Sequence, residues 1–249
     1  MTQTIAPTYT ADEMMAVAAA RRLGGKTVCF VGIGLPSLAA NLARTTHAPE
    51  CVLIYESGAI GAKPEHVPLS IGDGELAETA DAVVSVPEIF SYWLQGGWID
   101  VGFLGAAQID PHGNLNSTVI GDYDRPTVRL PGAGGAPEIA ALCRETYVML
   151  KQTPRAFVEQ LDFRTTVGTG GSGAGVTCVV TDLGVLEPDD SKRLILTELH
   201  PGATVERARE STGWDLDVAE TLSTSLPPTE AELEALRALE PANGETPSP

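Results

Sequence analysis

The run TVCFVGIGLPSLAANLARTT, followed within a few residues by CVLIY, restricts the possible folds of this chain more than any other feature. An apolar β-like run to Val31 breaks at Gly32 and Gly34, Pro36 and Ser37 open a helix, and a second apolar run follows. Strand, helix and strand over this distance form a βαβ unit, with parallel strands and a right-handed crossover. The strands are apolar throughout rather than alternating, as expected where helices cover both faces of a sheet. The expected fold class is therefore α/β, an open, largely parallel sheet with flanking helices.

Other segments fit this frame. Thr10 and Glu13 form a capping box ahead of EMMAVAAARRL, a helix that should stop at Gly24 and Gly25, and Thr229 and Glu232 cap a last helix with Leu233, Leu236 and Leu239 on one face. PEIFSYWLQGG reads as a helix of two to three turns, WIDVGFLGAAQID as a strand, and TYVMLK, RAFVEQL, GVTCVVTD and RLILTELH as further strands. The stretch from Pro111 to Cys143 alternates short β-like pieces with turns before a helix that begins around Pro137. No repeat or linker divides residues 8–240, which are expected to form one domain. Residues 241–249 lack an apolar face and are expected to be disordered.

Net charge excludes some partners. A formal charge of −17 over 249 residues leaves no basic footprint for nucleic acid or an anionic membrane surface. No segment approaches the roughly 18 apolar residues of a membrane span. Cys29, Cys51, Cys143 and Cys178 lie far apart with no metal-ligand spacing, and His47, His66, His112 and His200 are scattered, so neither a zinc site nor a disulfide framework is expected. Buried thiols in a cytoplasmic chain are the simplest reading.

Three stretches could carry chemistry. GIGLPS, residues 32–37, follows a strand and opens a helix, but Ser37 stands where a dinucleotide turn needs its third glycine. Glu56 follows Val52, Leu53, Ile54 and Tyr55 at the carboxyl end of a parallel strand, where α/β sheets bind ligands. As a capping group or half of a surface ion pair it would be ordinary. At an apolar strand end beside Gly58 and Gly61, however, it has the poorly hydrated setting that a carboxylate nucleophile needs. In LPGAGGAPEIA, successive glycines before a helix can present backbone N–H groups to a phosphate or an oxyanion. GTGGSGAG, residues 168–175, runs into a strand instead and reads as a permissive connection.

IYESGAIGAKP, LSIGDGELAETAD, WLQGGWIDVGFLGAAQID, GNLNSTVIGDY and LPGAGGAPEIA, in this order, resemble the B (β) subunit of class I CoA-transferases of the 3-oxoadipate and glutaconate types. The resemblance covers roughly residues 10–235. It implies that Glu56 is the catalytic nucleophile and that Gly132, Gly134, Gly135 and Ala136 form the glycine motif near the thioester, as a CoA-binding or oxyanion element. It also implies an A (α) subunit on a separate chain, in a heterodimer or heterotetramer with the active site at the interface. Coenzyme A is then a substrate, passing from succinyl-CoA to 3-oxoadipate, with no metal and no tightly bound cofactor. A glutaconate-type transferase, or a thioester or β-diketone hydrolase on the same scaffold, is the alternative, and Glu56 argues for transfer. The segment from Phe163 to Thr181 is shorter than the resemblance leads one to expect.

Overall fold

The computed structural model describes residues 9–170 and 173–239; the tail at 241–249 and part of GTGGSGAG lie outside them. In chain order the elements begin with α1 (Ala11–Arg21), β1 (Val28–Val31), α2 (Leu35–Thr46), β2 (Val52–Tyr55), β3 (Ala59–Ile60), α3 (Gly74–Glu78) and β4 (Ala82–Val83). A single turn, α4 (Val86–Glu88), runs into a π-helix over Ile89–Leu94, followed by β5 (Val101–Leu104), β6 (Gln108–Ile109), β7 (Leu115–Asn116), β8 (Val119–Gly121) and β9 (Pro126–Arg129). The chain continues through α5 (Ala136–Leu142), β10 (Glu145–Met149), β11 (Val176–Val180), β12 (Gly184–Pro188), β13 (Leu194–Leu199), α6 (Val205–Glu210), β14 (Val218–Thr224) and α7 (Glu230–Ala238).

Ten strands form one sheet in the order β14-β13-β12-β11-β10-β5-β1-β2-β3-β4. Its centre, from β11 through β10, β5 and β1 to β2, is parallel throughout, and the βαβ unit is β1-α2-β2 with Val28 opposite Val52 and Val31 opposite Tyr55. Antiparallel pairings join β12 to β11 and to β13 on one side, and β3 to β2 and to β4 on the other. From β1 the chain moves to β2 on one side, and it later returns to lay β5 on the other. Ligands collect beyond the carboxyl ends of strands where an α/β sheet reverses in this way.

Each face of the sheet carries its own core. On one, α1 and α2 pack against Cys29, Val31, Leu53, Tyr55 and Phe103. Helix α1 is buried from Glu13 to Ala20 because α7 lies over it, and its alanines allow close approach on all sides. The other face packs the π-helix and α5 against Phe30, Ile54, Leu104 and Val148.

Helix α7 seats Leu233, Leu236 and Leu239 in the first core and is held at both ends by ion pairs. Arg21 donates to both oxygens of Glu232 at 2.7 Å, and Arg237 donates to Glu13 at 2.6 Å. Burial works to raise the Glu232 carboxyl, but hydrogen bonds from Arg21 and from the Thr229 backbone and hydroxyl outweigh it and bring it down from 4.5 to about 2. A carboxyl depressed on folding stabilises the native state above its unfolded pKa and stops doing so as pH falls through its folded one. Acid should therefore release α7 between pH 4.5 and about 2. Thermal midpoints of Glu232→Gln against pH should lose this part of the acid dependence, and an unchanged profile would contradict the assignment.

Some expected elements take another form. PEIFSYWLQGG is largely π-helical, with Gln95 N–H donating to Phe90 C=O at 2.9 Å and Trp98 N–H to Trp93 C=O at 3.1 Å. WIDVGFLGAAQID breaks at Gly105–Ala107 into β5 and β6. RAFVEQL forms no strand. Phe157 makes one bridge to Ile109 and stacks on Trp214 with ring centroids 5.6 Å apart, so it serves as a core plug.

Candidate active site

Glu56 leaves the carboxyl end of β2 in a tight hairpin. Gly58 N–H donates to Tyr55 C=O at 3.0 Å, which makes Glu56 and Ser57 the two central residues of a turn joining β2 to β3. The preceding residue is locked. The fully buried Tyr55 hydroxyl is hydrogen-bonded to Ser37 Oγ at 3.0 Å and receives Asn41 Nδ2 at 3.1 Å, tying the end of β2 to the first turns of α2. Ser37, at the third-glycine position of a dinucleotide turn, is committed to this contact.

The two hairpin glycines leave room for protein backbone and side chain rather than for substrate. A Cβ on Gly58, whose φ is 107°, would lie 1.9 Å from the Val84 carbonyl oxygen, and one on Gly61 would lie 2.3 Å from Asp81 Oδ2. Strands β3 and β4 are thus pressed against the turn.

The Glu56 side chain is half-buried, and no hydrogen bond or ion pair joins it to any described residue. It caps no helix and pairs with no cation, so neither structural reading of this carboxylate survives. What it faces is the glycine loop. A Cβ on Gly135 would stand 3.6 Å from Glu56 Oε1 and only 2.5 Å from Phe90 Cζ. The motif therefore divides its work: Gly132 (φ 107°) and Gly134 (φ 51°) supply left-handed backbone, while Gly135 supplies space between a ring and a carboxylate.

The four residues of the motif are not equivalent as donors. Gly132 N–H donates to Ser117 C=O at 2.8 Å and Ala136 N–H to Ala133 C=O at 3.0 Å. The N–H groups of Ala133, Gly134 and Gly135 meet no acceptor among the described residues.

Two neighbours were invisible in the sequence. Phe90 reaches the loop from the π-helix and packs edge-on against Phe30 of β1, with centroids 6.1 Å apart. Ser117 holds Gly132 from the turn after β7. A π turn is a recurrent mark of functional positions, yet PEIFSYWLQGG carries no local signal for one.

A family profile described as Coenzyme A transferase matches residues 12–211. This chain belongs to the coenzyme A transferase family. The enzyme is 60% identical over 243 residues to the β subunit of 3-oxoadipate CoA-transferase from Pseudomonas knackmussii, covering 93% of this chain and 94% of the relative. The crystal structure of glutaconate CoA-transferase from Acidaminococcus fermentans superposes with a TM-score of 0.89 at 33% identity, covering 97% of this chain and 98% of that one. A crystal structure of the decarboxylase AibA/AibB reaches 0.85 at 28% identity, with coverage of 94% and 96%.

The cysteines of this CoA-transferase offer no competing nucleophile. Burial pushes the thiol of Cys51 up to about 11 and those of Cys143 and Cys178 to about 12, and raises Cys29 well above its ordinary value. All four remain protonated at neutral pH, and a thiol attacks as its thiolate.

Proposed function

We propose that Glu56 is the nucleophile of this CoA-transferase, which works with a separate α subunit and moves CoA from succinyl-CoA to 3-oxoadipate. The observation that carries the reading is the Glu56 carboxylate itself, half-buried, without a partner among the described residues and facing Gly135. The substrate pair rests on the 60% identity to the Pseudomonas enzyme.

The carboxylate attacks the thioester carbonyl, and the tetrahedral oxyanion collapses to an acyl-glutamyl anhydride with loss of CoA thiolate. The thiolate attacks the glutamyl carbonyl, which gives an enzyme-bound glutamyl-CoA thioester and frees the donor acid. The acceptor carboxylate then displaces CoA to form a second anhydride, and the thiolate returns to its acyl carbon and regenerates Glu56. Each oxyanion is met by the Gly134 and Gly135 N–H groups, with Ala133 beside them, while Gly132 and Ala136 shape the loop. Water would hydrolyse both kinds of intermediate, which favours a strand end over an exposed loop. Acyl atoms fit the pocket of about 170 Å³ that Pro137 and Ala140 of α5 form with Thr165 and Val167.

The partner chain covers the β4 end of the sheet. There Val83, Tyr92 and Trp98 are 59%, 68% and 64% exposed, close in the fold to the Glu56 hairpin. Nearby Glu75, Glu78 and Glu88 suit a partner face that carries cations, which would also serve the CoA phosphates. One α subunit for each copy of this chain, as a heterodimer or a heterotetramer, meets this need, and CoA as substrate suits a cytoplasmic enzyme.

The test is to co-express both chains, add succinyl-CoA, reduce with borohydride and map the product by mass spectrometry. Glu56 should be converted to the corresponding alcohol only when acyl-CoA is present. Turnover with Glu56 left unmodified would remove the covalent mechanism. Glutaconate outcompeting 3-oxoadipate as acceptor would reassign the substrate alone.

A further inference from the structure

Ser117 uses three of its groups at the base of the glycine loop. Its hydroxyl donates to Gly132 C=O at 2.8 Å, its own C=O accepts from Gly132 N–H at 2.8 Å, and its N–H donates to Thr165 Oγ1 at 3.0 Å. Residues fifteen apart in the chain are thus clasped by a reciprocal pair. The clasp rests on a rigid base. Asn116, fully buried, accepts from Thr118 N–H at 3.0 Å and donates to Val119 C=O and Gln108 Oε1 at 2.7 Å, while Thr118 Oγ1 is hydrogen-bonded to Thr165 Oγ1 at 2.7 Å.

Peptide geometry carries this contact further along the loop. In a planar trans peptide the carbonyl and the next N–H point in opposite directions. A hydroxyl that fixes Gly132 C=O therefore also aims Ala133 N–H away from Ser117. Ala133 is the first of the three consecutive residues whose N–H groups lack an acceptor among the described residues. Without the hydroxyl, Gly132 at φ 107° and Gly134 at φ 51° stand in open space, where a Cβ would meet nothing within 4 Å, so no side-chain packing holds the peptide planes.

We infer that Ser117 is a positioning residue for the transfer reaction: it pre-orients the backbone donors of the 132–135 loop for the oxyanion at Glu56. Thr165 acts one step behind it. This gives a role to the segment after Phe163, which the motifs alone left without one. The inference rests on Glu56 being the nucleophile.

The experiment follows single-turnover formation of glutamyl-CoA at Glu56 in the complete two-chain enzyme, for wild type, Ser117→Ala, Ser117→Thr and Thr165→Val. Removing an oxyanion donor costs roughly 10²–10³-fold. Losing only its orientation should cost less, about tenfold in the maximal rate for Ser117→Ala, with the half-saturating acyl-CoA concentration within about twofold of wild type. Ser117→Thr keeps the hydroxyl and should restore most of the rate, and Thr165→Val should lose about threefold with the same signature. A wild-type rate in Ser117→Ala overturns the inference, as does a folded Ser117→Thr no faster than the alanine variant. Wild-type enzyme that turns over without modifying Glu56 overturns the underlying mechanism, an outcome that is read separately.

Discussion

Glu56→Gln should abolish CoA exchange, by about 10⁴-fold or more, while leaving the thermal midpoint unchanged. Loss of a covalent nucleophile costs on this scale because no other group takes over its bond-forming step. Glutamine has the same shape and is half-buried in the same place, but its amide does not attack a thioester. Stability should stay within roughly 0.5 kcal/mol, since the carboxylate makes no hydrogen bond or ion pair with any described residue. Glu56→Asp separates charge from reach: it stays ionised but withdraws the oxygens by one methylene, and misplacement of about 1 Å can cost 10²-fold. Exchange in Glu56→Gln above about a hundredth of the wild-type rate, measured with labelled acid and succinyl-CoA, would sink the nucleophile assignment.

Gly58→Ala should have the largest effect on stability, about 3 kcal/mol or more. An alanine there must adopt φ 107°, a strain of roughly 1–3 kcal/mol, and its Cβ would meet the Val84 carbonyl oxygen at 1.9 Å. That oxygen is backbone, so relief requires moving β4, and overpacking of this kind adds roughly 1–3 kcal/mol. The bond from Val84 N–H to Gly58 C=O, 3.0 Å long, would be strained as well. Gly25→Ala is the matched control, because φ is 78° there but a Cβ would meet nothing within 4 Å. It should cost only about 1 kcal/mol. Denaturant midpoints that place the two variants together would show that β4 is not pressed on the hairpin.

Much of this was legible from local patterns. The βαβ unit could be read because an apolar run, a glycine turn and a helix each leave a mark within a few residues. Glu56 could be placed at a strand end for the same reason, and Thr10, Glu13, Thr229 and Glu232 announced their caps. What could not be read was which residues meet across the fold. Phe90 and Gly135 touch although 45 positions separate them in the chain, and nothing in IFSYWL requires a π turn. Strands β3 and β4 have two residues each and exist only because their neighbours pair with them, so β propensity carries no signal. Phe157 looked like part of a strand because burial and strand formation share the same composition, and only the Trp214 ring opposite it decides between them. The glycine loop could be recognised as a nest, but which of its N–H groups are already engaged depends on Ser117, which comes from another turn.

The lack of any bond to the Glu56 side chain also bears on how such enzymes change. Everything that holds the hairpin, including the Tyr55 hydroxyl, the Gly58 turn and the Val84 contact, belongs to other residues. Folding is therefore almost indifferent to the side chain at position 56, whereas the reaction depends on it entirely. Replacement there carries little risk of misfolding, so a lineage can exchange one chemistry for another at this point before any other part of the scaffold has adapted. That a decarboxylase shares this backbone is what such freedom would leave behind.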